Sequence, residues 1–500
     1  MIVNAQIPVC SGGWNARDAQ NQMKPGDAII YDNVQFKNGT DTVRRGYRKF
    51  LNAGADMLFA HHQINNDRLL ANKSGVLYVY DNEGTLKYTH TPSPAWLNMM
   101  ACTFTDGAGV VHKFITNNES TVYDYKCVNG TDSISAVSFT GTDGAILQFP
   151  FAYKNRLYFI EKDTCRAWYS EPQSISGALT SFNVGPFFKN GGHLIALGSW
   201  TQDGGDGTDD QLVLFSSQGE CLVYSGLSPN DTNGWNLVGR YEIPKIFNYK
   251  SVAQIKGDLI LATTTGVYPL SGVLSALNAS GVALSDKINN AFLDRNASNT
   301  GWKIIYNPND NEIMINSPSS EPGLMFETLV WNAENNTWSR YLGHNMTDMC
   351  VWNDGLYFCR DDGIYRANVG YTDDGYPIKF QIQPAYSHFG VLQRKQIMRA
   401  NLHVHTSTLD ELHKVIWTDF RQNGKTIMYR DQPENPGDAV WDSGLWNSST
   451  WVRIMGAKNI RVGMAHNPAV YISVGFIGST ATHTRIQGAD VGLVVARSDI

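Results

Sequence analysis

Residues 351–367, with the sequence VWNDGLYFCRDDGIYRA, contain the unit on which most of the chain is built. The unit starts at 353–355 with Asn, Asp and Gly, residue types that tolerate the positive φ of a tight turn. An apolar, aromatic run at 356–359 follows, and a second turn at 361–363 leads into a shorter apolar run. The pattern predicts a β-hairpin of two buried strands.

The same hairpin recurs along the chain in degenerate form. Most of its apolar runs start roughly 40–55 residues apart, which is close to the period of four-stranded propeller blades. About seven copies precede residue 370, and this number predicts a β-propeller of six or seven blades. The apolar runs lie at 76–80, 111–115, 157–160, 212–215, 259–262, 313–315 and 356–359.

The composition agrees with an all-β globular protein. The chain has 500 residues, of which 42% are hydrophobic and 17% are charged, and this balance is typical of a protein with a sizeable core. Its 46 glycines indicate many turns. No window shows a 3.6-residue apolar period sustained over three turns, so we expect no long amphipathic helix.

The pattern changes after the repeats. Gly375 and Pro377 interrupt residues 371–390, which we interpret as a linker. Further on, apolar and polar residues alternate at 401–406 and 470–474, a period that is typical of half-buried antiparallel strands. The predicted organisation is an N-terminal arm at 1–50, a β-propeller at 51–370, a linker at 371–390 and a β-sandwich-like domain at 391–500.

Charge and cysteine usage restrict the environment and the partners. The net charge of −6 argues against a strongly basic surface that grips nucleic acid, although DNA that passes without tight phosphate contacts is compatible with it. The first residues lack the basic and apolar regions of a signal peptide, and no stretch approaches the ~20 apolar residues of a membrane span. The seven scattered cysteines indicate reduced thiols in a protein made in the cytoplasm.

Residues 1–50 do not follow the repeat and carry a signature of their own. It consists of GGWNARD at 12–18, MKPGDAIIYDN at 23–33 and RRGYR at 44–48. This order of elements resembles the N-terminus of tail nozzle, or packaged-DNA stabilisation, proteins of short-tailed bacteriophages, in which a similar pattern precedes a β-propeller. Two features depart from that family. Trp14 stands where a smaller aliphatic residue is usual, and the sequence of residues 35–42 is less distinctive than the corresponding stretch of the family.

The resemblance implies a structural protein of the virion that is made in the host cytoplasm and has no enzymatic activity, cofactor or membrane anchor. Copies would form a homo-oligomeric ring, a hexamer, as the nozzle below the portal and adaptor. The ring would retain packaged double-stranded DNA and conduct it during ejection without sequence recognition. The implied protein partners are the portal, the adaptor and the tail fibre or spike proteins.

The N-terminal arm supplies the candidate assembly contacts under this hypothesis. The favoured interpretation of these residues is nevertheless an intrachain polar network that joins the arm to the propeller, because most charged residues are locally paired or solvated. We expect deletion of residues 1–50 to leave a folded propeller that no longer assembles. The candidate contacts are Arg17, Asp18, Asp27, Asp32, Asn33, Arg44, Arg45 and Tyr47.

Motifs for catalysis and metal binding have little support in the sequence. We find no Gly-x-Ser-x-Gly elbow, HExxH motif, Walker loop or strand-linked GxGxxG motif, so we predict no enzyme. His403 and His405, with His413, could form part of a metal site, but isolated histidines are commoner than ligands. The Asp-rich loop 203–210 could bind Ca²⁺, yet it lacks EF-hand spacing, and a solvated loop is the favoured interpretation.

A tryptophan-rich segment supports an alternative function. Trp441, Trp446 and Trp451 recur every five residues in a Gly/Ser-rich stretch, where they could stack on sugar rings or on a partner protein. Core packing explains them equally well. The alternative is therefore a carbohydrate-binding or carbohydrate-active β-propeller, and a third hypothesis is a cellular propeller scaffold that binds peptides, because fold alone constrains function weakly.

Overall fold

The computed structural model describes residues 2–117, 119–201, 210–231, 234–275, 282–295, 301–407, 411–421, 424–429, 438–439, 450–451, 456–463 and 468–495. Strands make up almost all of the regular structure. The helices within these ranges are α1 (Leu270–Ser275), α2 (Asn289–Asp294) and four short 3-10 helices at Gly144–Ile146, Gly185–Phe187, Tyr249–Ser251 and Asp286–Ile288. No helix in the described part of the chain is long and apolar enough to cross a membrane.

The described residues from 47 to 367 form a β-propeller of seven blades, each an antiparallel sheet. The sequence allowed six or seven. Blades 1 to 3 comprise Met57–His61, Arg68–Lys73, Val76–Tyr80 and Leu86–His90; Met100–Thr105, Val111–Thr116, Tyr123–Val128 and Thr131–Ala136; and Leu147–Tyr153, Arg156–Glu161, Arg166–Ser170 and Gly177–Asn183, which Phe139–Thr140 extends in parallel. Blades 4 and 5 comprise Leu194–Thr201, Asp210–Ser216, Glu220–Ser225 and Asn236–Glu242; and Val252–Ile255, Asp258–Thr263 and Gly266–Pro269. Blades 6 and 7 comprise Lys303–Asn307, Glu312–Pro318, Phe326–Asn332 and Thr337–Tyr341; and Asp348–Trp352, Gly355–Arg360, Gly363–Ala367 and Tyr47–Leu51.

The propeller closes on itself through its own N-terminal strand. Tyr47–Leu51 pairs antiparallel with Gly363–Ala367 and so provides the outermost strand of blade 7. Seven clusters of buried apolar side chains hold the ring together, one between each pair of neighbouring blades, including the pair formed by blades 7 and 1. Between blades 5 and 6, for example, the rings of Phe247 and Trp302 stack with centroids 4.1 Å apart.

The hairpins predicted from the sequence are real, and their position in the blades explains why they were visible. Six of the seven apolar runs form the second strand of a blade, and the run at 76–80 forms the third strand of blade 1. Each of these strands lies inside its sheet and is covered on both faces by neighbouring blades, so it must be apolar. The outermost strands, such as Asn236–Glu242, are largely exposed and carry a weaker signal.

Blade 5 has three described strands, and its outer edge is covered in a different way. Leu284 donates its backbone N–H to the carbonyl oxygen of Val267, and Val267 donates its own N–H to the Ser285 hydroxyl at 2.8 Å. The segment that runs into α2 therefore occupies the position of a fourth strand. This substitution places Lys287 on the outside of blade 5, next to the N-terminal segment.

A β-sandwich of two sheets forms the second part of the molecule. Their facing sides share one buried core, to which Tyr31, Leu402 and Phe476 contribute. One sheet consists of Ile2–Ile7, Val34–Lys37, Thr40–Val43, Lys395–Thr406, Gly456–Gly463 and Arg485–Val495. The other consists of Asp27–Asp32, Tyr376–Pro384, Glu411–Thr418, Lys425–Tyr429 and Ile472–Thr480.

The predicted boundaries differ from those of the structure at both ends of the propeller. The boundary at residue 50 falls inside the strand Tyr47–Leu51, and four strands of the segment 1–50 belong to the two sheets of the sandwich. The segment 371–390 is not a free linker, because Tyr376–Pro384 is a sandwich strand between Asp27–Asp32 and Ile472–Thr480. Both differences arise because these strands pair with partners hundreds of residues away.

Candidate functional site

The N-terminal signature lies at the junction between the propeller and the sandwich. Between the second and third parts of the signature, the buried carboxylate of Asp41 accepts the backbone N–H of Cys10 at 3.0 Å and the Tyr31 hydroxyl at 2.7 Å. Burial raises the pKa of Asp41 to about 6, although these two hydrogen bonds oppose the rise. Asp41 therefore links its own strand to the turn at Cys10 and to the strand that contains Tyr31, inside the core.

The GGWNARD motif surrounds a lysine of the propeller. Lys287 donates its ammonium group to Asp27 Oδ1 at 2.9 Å and to the carbonyl oxygen of Gly12 at 2.8 Å. In return, the Lys287 carbonyl accepts the backbone N–H groups of Ala16 and Arg17. Asn15 completes the arrangement, because its side-chain amide donates to the second carboxylate oxygen of Asp27 at 2.9 Å.

Two glycines of the signature are required by close backbone approach. Gly13 has a φ of +68°, and a Cβ at this position would lie 2.9 Å from the carbonyl oxygen of Trp338. At Gly46 a Cβ would lie 1.9 Å from the carbonyl oxygen of Thr372. Any side chain at either position would push the segment away from blade 6 or from the loop after blade 7.

Trp14, which departs from the resembled family, has a defined environment. Its side chain is buried and donates its indole N–H to the carbonyl oxygen of Ile29 at 3.2 Å. The guanidinium groups of Arg295 and Arg340 each lie 5.8 Å from the ring centroid, within the range of cation–π attraction. A large aromatic ring therefore fills a site that two propeller arginines border.

Arg340 also forms the second charged link between the propeller and the N-terminal segment. Its guanidinium donates to both carboxylate oxygens of Asp32 at 2.7 Å, a bidentate geometry that gives strong and directional pairing. Burial raises the pKa of Asp32, and the hydrogen bond and charge of Arg340 oppose that rise. Arg340 donates further to Glu321 at 2.8 Å.

Arg44 forms the third link and is the most deeply buried of the three. Only 1% of its side chain is exposed, and its guanidinium binds both carboxylate oxygens of Asp373 at 2.7 and 2.8 Å. It donates to Asn33 Oδ1 at 2.8 Å and to the Leu342 carbonyl at 3.0 Å. Asn33 in turn donates to the carbonyl of Lys379 in the sandwich at 2.7 Å, so this group connects both domains.

The structure thus places the predicted assembly residues mainly in intrachain contacts. Asp27, Asp32, Asn33 and Arg44 are buried and paired, and the Tyr47 ring packs edge-on against Phe358. The remaining three, which keep exposed surface, are Arg17, Asp18 and Arg45.

Two of these exposed residues also have intrachain partners. Arg17 pairs with Asp18 and with Asp286, and the Arg45 guanidinium has no ion-pair partner among the described residues. An intersubunit role for these residues stays a prediction. The partners Lys287, Arg340 and Asp373 were missed from the sequence, because nothing local marks a pairing across about 250 to 330 positions.

Side chains cross the axis of the propeller. Asp348 is buried there and accepts the ammonium groups of Lys303 at 2.6 Å and Lys250 at 3.3 Å. Burial on its own would raise the pKa of Asp348, but the two lysines outweigh it and lower the pKa below its usual value. Tyr249, from blade 5, donates its hydroxyl to the carbonyl oxygen of Met99 beside blade 2 at 3.3 Å. Duplex DNA therefore has no room along the axis of a single propeller.

The other sequence candidates are separated or lie outside the described residues. His403 pairs with Asp490 at 2.9 Å and His413 with Glu411 at 2.6 Å. Among the described residues, no group of three or more His, Cys, Asp and Glu side chains could hold a metal ion. Trp441, Trp446 and residues 203–209 lie outside the described ranges, and only the backbone of Trp451, in the short strand Thr450–Trp451, is described.

Comparison with known proteins gives a likeness in fold only. No family model and no curated protein matches the chain. Sqt1 of Saccharomyces cerevisiae is similar at 11% identity and a TM-score of 0.41, and the match covers 67% of this chain and 98% of that one. BBS1N, solved in complex with ARL6DN in crystals soaked with mercury or with lead, is similar at 10% identity and a TM-score of 0.40, over 65% of this chain and 96% of that one.

Proposed function

We propose that the protein is a structural subunit of a bacteriophage tail. Copies form a ring-shaped nozzle below the portal and adaptor, and the ring retains packaged DNA and conducts it during ejection. The portal, the adaptor and the tail fibre or spike proteins are its partners in the virion. The sequence signature of residues 12–48 carries this proposal, and the roles of its residues in the structure support it.

The signature residues are those that determine how the propeller and the sandwich are joined. Gly13 and Gly46 allow close backbone approach, and Asp27, Asp32 and Arg44 each bind a distant charged partner. A protein that shares these residues in this order has the means to build the same junction. The resemblance is therefore to residues that shape the molecule, rather than to surface positions that vary freely.

The filled propeller axis bears on where DNA would pass. Because Tyr249 contacts Met99 across the axis, a channel wide enough for a duplex must lie between copies of the chain. A closed ring requires a heterologous interface, in which one face of each copy binds a different face of the next copy. A ring of subunits can enclose a channel that is wide enough for a duplex, whereas the axis of a single propeller cannot.

Negative-stain microscopy tests the proposal directly. The full chain is imaged at high concentration, alone and after co-expression with the portal and adaptor of a short-tailed phage. Closed rings with an axial hole are the expected result in at least one preparation. Isolated globules in both preparations would contradict the proposal.

A second assay then examines the carbohydrate alternative. Intrinsic tryptophan fluorescence is titrated with a panel of host polysaccharides. If no rings form, saturable quenching together with released sugar would favour a carbohydrate-active propeller. If rings form and no polysaccharide quenches the fluorescence, the structural function stands.

A further inference from the structure

A cavity of about 180 Å³ lies at the seam between the sandwich and blades 6 and 7. Four separate parts of the chain line it: the hairpin formed by Val34–Lys37 and Thr40–Val43, the turn before Glu312–Pro318, the loop after blade 7, and the start of Arg485–Val495. Ligand sites occur preferentially at such domain interfaces. None of the links described above uses this cavity.

Two buried side chains in the cavity wall have unused hydrogen-bonding capacity. Glu312 is 1% exposed and Gln35 is 9% exposed, and the Oε1 atom of each has no hydrogen-bond partner among the described residues. Burial, together with the charge of Asp310, raises the pKa of Glu312 to about 8, although Lys37 opposes the rise. The Glu312 carboxyl is therefore mostly neutral at pH 7, so it can both donate and accept a hydrogen bond.

The lining also contains two arginines. Arg45 and Arg485 line the cavity, and neither forms an ion pair with a carboxylate in the described part of the chain. Arg485 donates to His483 Nε2 at 3.4 Å, and the imidazole of His483 stacks on the Tyr371 ring with centroids 5.1 Å apart.

The Asp310 carboxylate, which also lines the cavity, forms no ion pair with these arginines. Asp310 accepts the side-chain amides of Asn368 at 2.8 Å and Asn307 at 3.1 Å, and it lies 3.5 Å from the Lys37 ammonium group. Its charge is therefore matched by a lysine. Two arginines without carboxylate partners in one cavity indicate a site for an anionic group, because a guanidinium binds a carboxylate in a bidentate geometry.

We infer that this cavity binds a small polyhydroxylated carboxylate of the sugar-acid class. Its carboxylate contacts Arg45 and Arg485, and its hydroxyl groups bond with the free acceptors of Gln35 and Glu312. The volume of the cavity suits one monosaccharide unit of this class. The same chemistry is offered by a free sugar acid and by the terminal uronate of an acidic polysaccharide.

Isothermal titration calorimetry on the full chain tests this inference with four probes. Glucuronate carries both chemical features, glucose carries only the hydroxyl groups, and acetate and phosphate carry only the charge. We expect glucuronate to bind about tenfold or more tightly than each of the other three, because only glucuronate satisfies both walls. Equal binding of glucose would overturn the role of the arginines, and equal binding of acetate or phosphate would overturn the role of Gln35 and Glu312.

Variants locate the binding in the cavity. Arg45→Gln and Glu312→Leu, which removes the carboxyl acceptor at similar volume, are each expected to weaken glucuronate binding by about tenfold, the change that corresponds to losing one good polar contact. Arg45 is exposed, so its replacement keeps the fold. Arg48→Gln is the matched control, because Arg48 is an exposed arginine of the same segment that does not line the cavity. Unchanged binding in Arg45→Gln, or no binding of glucuronate to the native chain, would refute the inference.

A further arm of the experiment distinguishes the two sources. If an oligouronate binds at least as tightly as glucuronate, the cavity accepts the end of a polysaccharide. If glucuronate binds and the oligomer does not, the ligand is a free sugar acid. Both results require the cavity to bind the sugar-acid group, and neither depends on whether the protein forms rings.

Discussion

Replacement of Arg44 by methionine is the sharpest test of the junction between the propeller and the sandwich. The methionine side chain occupies a similar volume but removes the charge and every donor of the guanidinium. Arg44 donates five hydrogen bonds, two of them to Asp373 and the others to Asn33, Leu342 and the backbone of Arg45. The variant therefore removes the guanidinium donor from all five contacts, and among the described residues only Asn33 Oδ1 keeps another donor, the backbone N–H of Leu342.

The size of the effect follows from burial. The Asp373 side chain is 15% exposed, so water can solvate the abandoned carboxylate only in part. Breaking a buried ion pair by removing one partner costs about 3–5 kcal/mol. We therefore expect Arg44→Met to lower the free energy of unfolding by about 4 kcal/mol, which is a large part of the ~5–15 kcal/mol that stabilises a typical protein.

Urea unfolding followed by tryptophan fluorescence measures this loss. With a denaturant slope of about 3 kcal/mol per M, the midpoint should fall by roughly 1.3 M. Adding Asp373→Asn removes the unpaired charge, so the double variant should recover about 1.5–3 kcal/mol.

The control is Arg48→Met, which replaces an exposed arginine four positions away and should change stability by less than about 0.5 kcal/mol. An Arg44→Met variant within about 1 kcal/mol of the native protein would refute the view that this residue joins the domains.

Three further predictions concern pH and chain length. Burial alone would lower the pKa of His112, but Asp124 at 2.8 Å and Asp106 outweigh burial and raise it. The protonated His112 therefore stabilises the folded state fully below pH ~6.5, and this stabilisation is lost as the pH rises through the pKa of the folded state. His112→Asn should therefore cost about 2 kcal/mol at pH 6 and less at pH 9 in urea unfolding, and an equal cost at both values would contradict this assignment. Burial and two nearby arginines lower the pKa of His344 in the folded state. As the pH drops below ~6.5, His344 is therefore protonated in the unfolded chain before it is protonated in the folded one, and the free energy of unfolding falls. His344→Phe should reduce that fall in thermal melts between pH 7 and 5, and a variant with an unchanged pH profile would exclude His344 as its cause. Deletion of residues 1–50 removes the closing strand of blade 7, so we now expect loss of cooperative unfolding in circular dichroism rather than a folded propeller that fails to assemble.

The propeller could be predicted because its hairpins are local. Strands such as Gly355–Arg360 and Gly363–Ala367 are joined by two residues, and both the turn chemistry and the apolar runs lie within one short stretch. The exact number of blades was less visible. Blade 5 replaces its fourth strand by the segment around Ser285, which carries no strand pattern, and the last strand of blade 7 precedes the first blade in sequence.

The sandwich was only half predictable. The alternating strands near its C-terminal end were recognised from their period, but their partners were not. Ile2 pairs with Val494, and Ala28 pairs with Pro384, so strands from the two ends of the chain share a sheet. A six-residue strand such as Ile2–Ile7 indicates its own conformation and gives no information about a partner almost 500 residues away.

The charged signature was detected without its role. Arg44 and Asp32 were considered for contacts between subunits because the resemblance implies an assembling protein, although an intrachain polar network was the favoured interpretation, and the sequence around them does not show which partner each residue has. Their partners Asp373 and Arg340 lie in other parts of the fold, and the pairing buries all four groups wholly or largely. The residues on which the resemblance rests therefore form the junction between the two domains, and a role for them in assembly stays a prediction. Contacts between copies should accordingly be sought where the segment remains exposed, beginning with a charge-reversal variant of Arg17, which should disrupt rings in microscopy without lowering stability by more than about 1 kcal/mol.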